Sequence, residues 1–294
     1  MDKPSRVCYH NSGDKNMAEF KIVIDNGTVF YDGQIDAQAT VLPIGFTIAG
    51  KTLEKIDAET VRAAHLDGQK VHTQITPKDS TLALEKLLND GYDVLLLSIS
   101  SSISESFKTA EYIAKGLKIK HPDREIVVID TLSCGAGEAL MLATALKLQK
   151  QGLSINEVAK ELEESKRFLH QVFIVDETDF LVRSGVISPT AIVNIKPIFD
   201  FANSGRLLVL QKAMGRKKAL SDMLKYVSKT FDEARCKTLV ITYGAEADAR
   251  ALGESIQRQF PTANVKYAQE NKYLSAYLGE SSVSICFFGE QRKS

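Results

Sequence analysis

Apolar and polar positions fall into a regular pattern from Phe20 onward, with short β-branched runs separated by stretches of helical period. Residues 20–25 (FKIVID) predict a strand that stops at Asn26-Gly27, while residues 92–99 (YDVLLLSI) and 125–130 (EIVVID) are almost continuously apolar. Runs of that kind mark strands covered on both faces, the habit of parallel sheets. Helix starts lie between them. Thr76-Pro77 sets a capping residue before a proline at the first helical position and predicts a helix to about Asn89. Ser154-Ile155-Asn156-Glu157 is a capping box that opens another helix, ending near Lys166. Strand and helix alternate through the first half, which predicts a parallel, Rossmann-like α/β unit.

The second half changes character. After a strand at residues 171–175 and a short helical segment, residues 196–201 and 206–211 form two extended runs joined by a turn at Asn203-Ser204-Gly205. Two such runs around an Asn/Gly turn predict a hairpin, and with it an antiparallel component. Strands at residues 237–243, 264–268 and 283–288 and a helix at 246–260 complete a second α/β unit with a mixed sheet. The expected organisation is two domains, residues 17–168 and 169–290, divided near residues 166–170. Residues 1–16 are polar and aperiodic, and we expect a disordered extension there.

Composition narrows the function. With 37 Lys+Arg against 37 Asp+Glu, the chain lacks the basic surplus that neutralising a phosphate backbone requires, so no nucleic-acid partner is expected. Cys8, Cys134, Cys236 and Cys286 lie far apart without metal-ligand spacing, which argues against a metal site and for reduced thiols in a cytoplasm. No apolar run approaches the ~20 residues needed to span a bilayer, and the start lacks a signal-peptide core, so no membrane insertion is expected. No Walker loop or nucleophile elbow is present, and no cofactor is expected.

Four segments carry candidate chemistry. Ser98-Ile99-Ser100-Ser101-Ser102-Ile103-Ser104 follows an apolar strand and precedes a helix, where hydroxyls and unpaired helix N–H groups could meet an anion. Helix capping by Ser102 or Ser104 explains the same residues. His72-Thr73-Gln74-Ile75-Thr76-Pro77 is a second strand end that turns into a helix, and Thr73 could converge with Ser100 or Ser101 on one carboxylate or phosphate. Gly135-Ala136-Gly137-Glu138 resembles a shortened dinucleotide fingerprint, but Leu140 and Met141 stand where a third glycine would pack, which favours a close-packed helix start. Cys134 beside it reads as a small buried residue, since no His or Asn partner context accompanies it. Gly215-Arg216-Lys217-Lys218 puts cations at a helix N-terminus, against the dipole, which points to an external anion or a docking surface as well as to ordinary solvated charge.

Taken in order, these blocks resemble the DegV family of fatty-acid-binding proteins. The similarity runs from about Phe20 to Gly289 and rests on Ile24-Asp25-Asn26, His72 to Pro77, Ile99 to Ser104, Val128-Ile129-Asp130-Thr131, Asn194-Ile195-Lys196-Pro197 and Gly215 to Lys218. The resemblance implies a two-domain protein, not an enzyme, that buries one long-chain fatty acid in a tunnel. Its carboxylate would be held by Thr73 and by Ser100 or Ser101, with Gln74, Arg216 and Tyr277 as further ligand-binding candidates. In bacteria with a fatty-acid kinase, such proteins present the carboxylate for phosphorylation, so the kinase's catalytic subunit is the implied partner. The chain departs from the family near its end, where Ala276-Tyr277-Leu278-Gly279-Glu280-Ser281 replaces a His followed by Gly-Pro-Gly. A phenol at Tyr277 can donate a hydrogen bond but cannot serve as a near-neutral acid or base. A small-molecule acyl or phosphoryl hydrolase or transferase built on the serine loop is the alternative, and it requires a general base beside Ser100 or Ser101.

Overall fold

The computed structural model describes residues 19–31, 39–53, 58–69, 71–175, 178, 181–182, 195–244, 246–279 and 281–292. The extension expected at residues 1–16 and most of the helical segment expected after residue 175 lie outside them.

The first sheet has four parallel strands in the order β2 (Thr40–Leu42), β1 (Phe20–Asp25), β6 (Asp93–Ser98), β7 (Ile126–Asp130). Its nearly unbroken apolar runs follow from double coverage. Val23, Val94 and Leu96 point to one face and pack with Leu84 and Leu88 of α2 (Pro77–Asn89) and Ala110, Ile113 and Leu117 of α3 (Ser106–Lys120). Ile22, Ile24, Leu95 and Leu97 point to the other, against α4 (Ala136–Lys150) and α5 (Ile155–Ser165). The capping box at the start of α5 is present, with the Ser154 hydroxyl accepting from Glu157 N.

The second sheet has six strands in the order β10 (Leu207–Met214), β9 (Ile195–Phe201), β8 (Leu169–Ile174), β13 (Val283–Phe288), β11 (Thr238–Tyr243), β12 (Asn264–Gln269). Only β11 and β12 pair in parallel; the remaining pairs are antiparallel, so the sheet is mixed as the hairpin pattern predicts. Its outer face is covered by α6 (Arg216–Thr230) and α7 (Glu246–Gln259), through Ala219, Met223, Val227, Leu252 and Ile256. Its inner face lies on α4: Leu169, Val240, Cys286 and Phe288 share one apolar cluster with Leu140, Met141 and Ala145.

Helix α4 is therefore enclosed by both sheets. Every residue from Ala136 to Leu142 is buried, which is why this helix lacks an amphipathic stripe. Gly135 and Gly137 make the enclosure possible. Gly135 caps the helix at φ +53°, where a Cβ would come within 2.8 Å of Leu274 Cδ1, and a Cβ at Gly137 would meet Ser133 Oγ at 1.9 Å. The close-packed helix start expected from the sequence is what the structure contains.

A third, antiparallel sheet orders β4 (Lys51–Leu53), β3 (Ile44–Ile48), β5 (Val71–Ile75). It packs with α1 (Ala58–Leu66) and, through Phe46 stacked on Tyr273, with α8 (Lys272–Leu278). Here the structure departs from expectation, because β5, which carries Thr73, belongs to this small sheet and not to the parallel one. The pattern could not separate them, since one short apolar run looks the same in either sheet. Among the described residues, no helix is long and apolar enough to cross a membrane.

Because Met141 is fully buried between the two sheets, Met141→Ala should cost about 2–5 kcal/mol of unfolding free energy. Leu82→Ala, at a position 58% exposed, should change it by no more than about 0.5 kcal/mol. Urea titration of the two variants checks the contrast.

Candidate functional site

An apolar pocket opens where the three sheets meet. Ile99 and Ile103 come from the serine loop, Thr73 from β5, Cys134 from the start of α4, Gln171 and Phe173 from β8, Phe201 and Leu207 from the hairpin, and Leu274 and Leu278 from α8, with Leu181 completing it. About 520 Å³ of atom-free space lies within its bounds, a figure that includes open solvent at the mouth. Three polar side chains, Thr73, Cys134 and Gln171, interrupt this wall.

Of the ligand-binding candidates, Thr73 reaches the pocket. Its Oγ1 donates to Ser104 Oγ at 3.1 Å, and Ser104 Oγ donates back to the Thr73 carbonyl at 2.9 Å. The Glu105 N–H donates to the same carbonyl at 2.9 Å, so β5 and the serine loop are locked together although they belong to different sheets. A hydroxyl rotates freely about its C–O bond, so Thr73 can turn its proton to a ligand oxygen at the expense of one neutral hydrogen bond.

Gln74 is turned away. Alternation along β5 sends its side chain to the opposite face, where its Oε1 accepts from Thr109 Oγ1 at 3.0 Å. Ser100 is buried, and its Oγ donates to the Gly205 carbonyl at 3.0 Å. This contact fixes the hairpin turn over the serine loop, and Gly205 is required for it twice. Its φ is +75°, and a Cβ there would meet Ser100 Oγ at 2.5 Å. Ser101 keeps its N–H directed at the Asp130 carboxylate, at 3.3 and 3.4 Å, so this backbone donor of the loop already serves an anion. Arg216 lies on the outer helix layer, with Nε on Asp248 Oδ2 at 2.6 Å and Nη2 on the Ser281 carbonyl at 2.6 Å. Lys218 pairs with Asp222 in the next turn of the same helix. The cations expected to face outward thus largely offset the dipole penalty with carboxylates of their own. Tyr277 falls within α8, but its side chain lies outside the described residues.

The alternative of a serine hydrolase or transferase requires a base hydrogen-bonded to a loop hydroxyl. Among the described residues, the Ser100 hydroxyl donates to a carbonyl, and no His, Asp or Glu side chain bonds to the hydroxyl of Ser100 or Ser101. Cys134 is buried as expected, and burial pushes its thiol well up, away from a reactive thiolate.

The sequence did not single out three buried acids as site residues. Asp25 ends β1 fully buried and accepts from Gly27 N, Ile99 N and Ser98 Oγ at 3.0, 3.0 and 3.3 Å, while burial outweighs these bonds and raises its carboxyl to about 6. Glu270, at the end of β12, accepts from Thr242 Oγ1 at 3.0 Å, and burial raises it to about 7. Burial, then the Asp25 charge, push Glu138 of α4 well up. An acid at the end of an apolar run was the available signal for Asp25; nothing local marked the other two.

Arg292 closes the arrangement. Only 3% exposed, it donates from Nη1 to the Leu132 carbonyl at 3.1 Å and from Nη2 to the Lys166 carbonyl at 2.8 Å, while its own carbonyl accepts from Asn203 Nδ2 at 2.8 Å. The hairpin turn, the loop after β7 and the end of α5 are thereby stapled around one residue, two by its guanidinium and one by its carbonyl.

A family model described as an uncharacterised protein family, DegV, matches residues 19–290. The chain belongs to the DegV family. A DegV domain-containing protein of Clostridium perfringens is 28% identical over 254 residues, covering 82% of this chain and 87% of that one. Among solved structures, a DegV-family protein from Ruminococcus gnavus refined with vaccenic acid aligns with a TM-score of 0.78 at 19% identity, over 91% of this chain and 99% of that one. The fatty acid kinase B3 protein of Streptococcus pneumoniae, loaded with linoleic acid, aligns with a TM-score of 0.76 at 23% identity, over 92% and 99% of the two chains. The two-unit mixed α/β architecture of this DegV chain is the one those structures have.

The buried acids make stability depend on pH. Folded Glu270 holds its proton up to about 7, whereas the unfolded chain releases it near the usual 4.5. Between those values the folded state binds more protons, so stability falls as pH rises through that window. Asp25 adds a fall between its usual 3.8 and about 6. Glu270→Gln should flatten the decline between pH 5 and 7.5, as read from urea midpoints at both values.

Proposed function

We propose that this DegV-family chain binds a long-chain fatty acid in the pocket between its sheets, with the carboxylate at Thr73 and the adjoining Ser100–Ser104 loop. The observation that carries the reading is the pocket itself: eight aliphatic or aromatic side chains drawn from both halves of the chain, with a hydroxyl from a strand locked to the serine loop. Burying a 16-carbon chain at about 0.8 kcal/mol per methylene supplies on the order of 12 kcal/mol gross. Ordering costs remove much of it, so the tail provides affinity and the polar end provides orientation.

The fatty acids bound by the Ruminococcus and Streptococcus proteins support this ligand class. The second of those belongs by its description to a fatty acid kinase, which supports a carrier role in which a separate kinase subunit supplies the phosphoryl chemistry. The three free cysteines among the described residues fit a reducing cytoplasm, where we place the protein. We assign residues 17–168 to the unit holding the carboxylate and residues 169–290 to the unit lining the tail, with α4 shared between them.

Purified protein should release a fatty acid on organic extraction, identified by mass spectrometry; an empty protein that also fails to take up oleate would sink the reading. Thr73→Val should weaken oleate roughly 10- to 150-fold, the worth of one hydrogen bond to a charged group. Oleyl alcohol should be affected less, and equal losses for acid and alcohol, measured by calorimetric titration, would remove Thr73 from the carboxylate site.

A further inference from the structure

Gln171 occupies the middle of β8, the strand at the heart of the six-stranded sheet, and is only 1% exposed. Its Oε1 is saturated. Ser133 Oγ donates to it at 2.8 Å, Cys134 N at 3.2 Å and Cys134 Sγ at 3.5 Å. A backbone N–H can only donate, so the atom it meets must be the amide oxygen, and the orientation of the side chain is fixed by chemistry. The absence of a side chain at Gly137 allows this clamp, because a Cβ there would press on both Ser133 Oγ and Gln171 Oε1.

With the oxygen held, the two N–H groups of Nε2 are directed elsewhere. Among the described residues none accepts from Nε2, and the side chain lines the pocket. The pocket's aliphatic and aromatic side chains, Ile99, Phe173, Phe201, Leu207 and Leu274 among them, offer no side-chain acceptor, and the hydroxyl of Thr73 on the same wall is bonded to Ser104. A saturated chain lying against this wall would strip water from a donor and return nothing, a loss normally avoided in buried sites. An oxygen on the chain at that depth would restore the bond.

We propose that Gln171 is a specificity-determining residue that selects acyl ligands bearing an oxygen acceptor along the chain, hydroxy- or oxo-fatty acids, over a saturated chain of equal length. The proposal rests on the fatty-acid reading above. Its chemistry is that of a polar site that rejects the analogue lacking the partner group, more sharply than an apolar wall can reject an extra methylene.

Calorimetric titration of the delipidated protein with stearic acid and a series of positional monohydroxystearic acids tests it. The wild type should bind at least one isomer roughly fivefold or more tightly than stearic acid. Gln171→Met should abolish that preference while keeping stearic acid at least as tight. Wild type that binds stearic acid and every isomer equally would overturn the proposal and leave the fatty-acid reading intact, whereas binding of none would overturn that reading first. Equal losses for stearic and hydroxystearic acids in Gln171→Met would put the donor at the carboxylate and refute the chain-selecting role. Since Ser133 and Cys134 lose their acceptor in that variant, a second readout needs only the wild type. The ketone stretch of the matching oxostearic acid should move to lower frequency on binding, as a hydrogen-bonded carbonyl does, and a stretch at its hydrocarbon-solvent position for every isomer would overturn the proposal.

Discussion

Burial of helix α4 between two sheets is the constraint on which the rest of the molecule depends. A helix covered on all sides carries polar groups at a cost, and from Ala136 to Leu142 this one carries a single ionisable residue, Glu138, whose buried carboxyl is shifted toward its neutral form. Close approach at its first turn requires glycine at 135 and 137, since any side chain would collide with Leu274 or Ser133. The same approach brings the loop after β7, the centre of β8 and helix α8 to one place, and the pocket is what remains between them.

Polar groups near that junction are occupied with holding it together. The Ser100 hydroxyl ties the hairpin turn of the second sheet to the loop of the first, Ser102 Oγ adds a bond to the Ser204 carbonyl at 3.0 Å, and Arg292 gathers three loops around its guanidinium and carbonyl. A hydroxyl-rich segment that looks like an anion site by composition thus divides its labour. Most of its donors satisfy backbone acceptors of another sheet, and Thr73 is left at the pocket wall with a bond that can be exchanged.

The electrostatics of the site follow from the same burial. Asp25, Glu138 and Glu270 have little water around them, so each is shifted toward its neutral form, and each releases its proton less readily than a surface acid. An interior of this kind suits a ligand that is mostly hydrocarbon. It places few fixed charges near the pocket, and under the proposed function recognition falls to individual hydrogen-bond donors such as Thr73 Oγ1 and Gln171 Nε2.

What the sequence determined by itself was the alternation of strand and helix, the switch to a mixed sheet in the second half, and the tight start of α4. Each rests on local physics: period, capping chemistry, and the space a glycine leaves. Family membership was legible in the same way, because the order of short blocks along the chain is a property of the sequence alone. What only the tertiary structure decided was which residues meet. Thr73 reached the serine loop from a separate antiparallel sheet, Arg216 was drawn into an ion pair with Asp248, and Gln171 met Ser133 and Cys134 across two units. Such pairings depend on how sheets stack and turn, and residues 31 to 38 positions apart carry no local signal of a shared hydrogen bond. The period of a strand says which side chains share a face, but only packing decides what that face will touch.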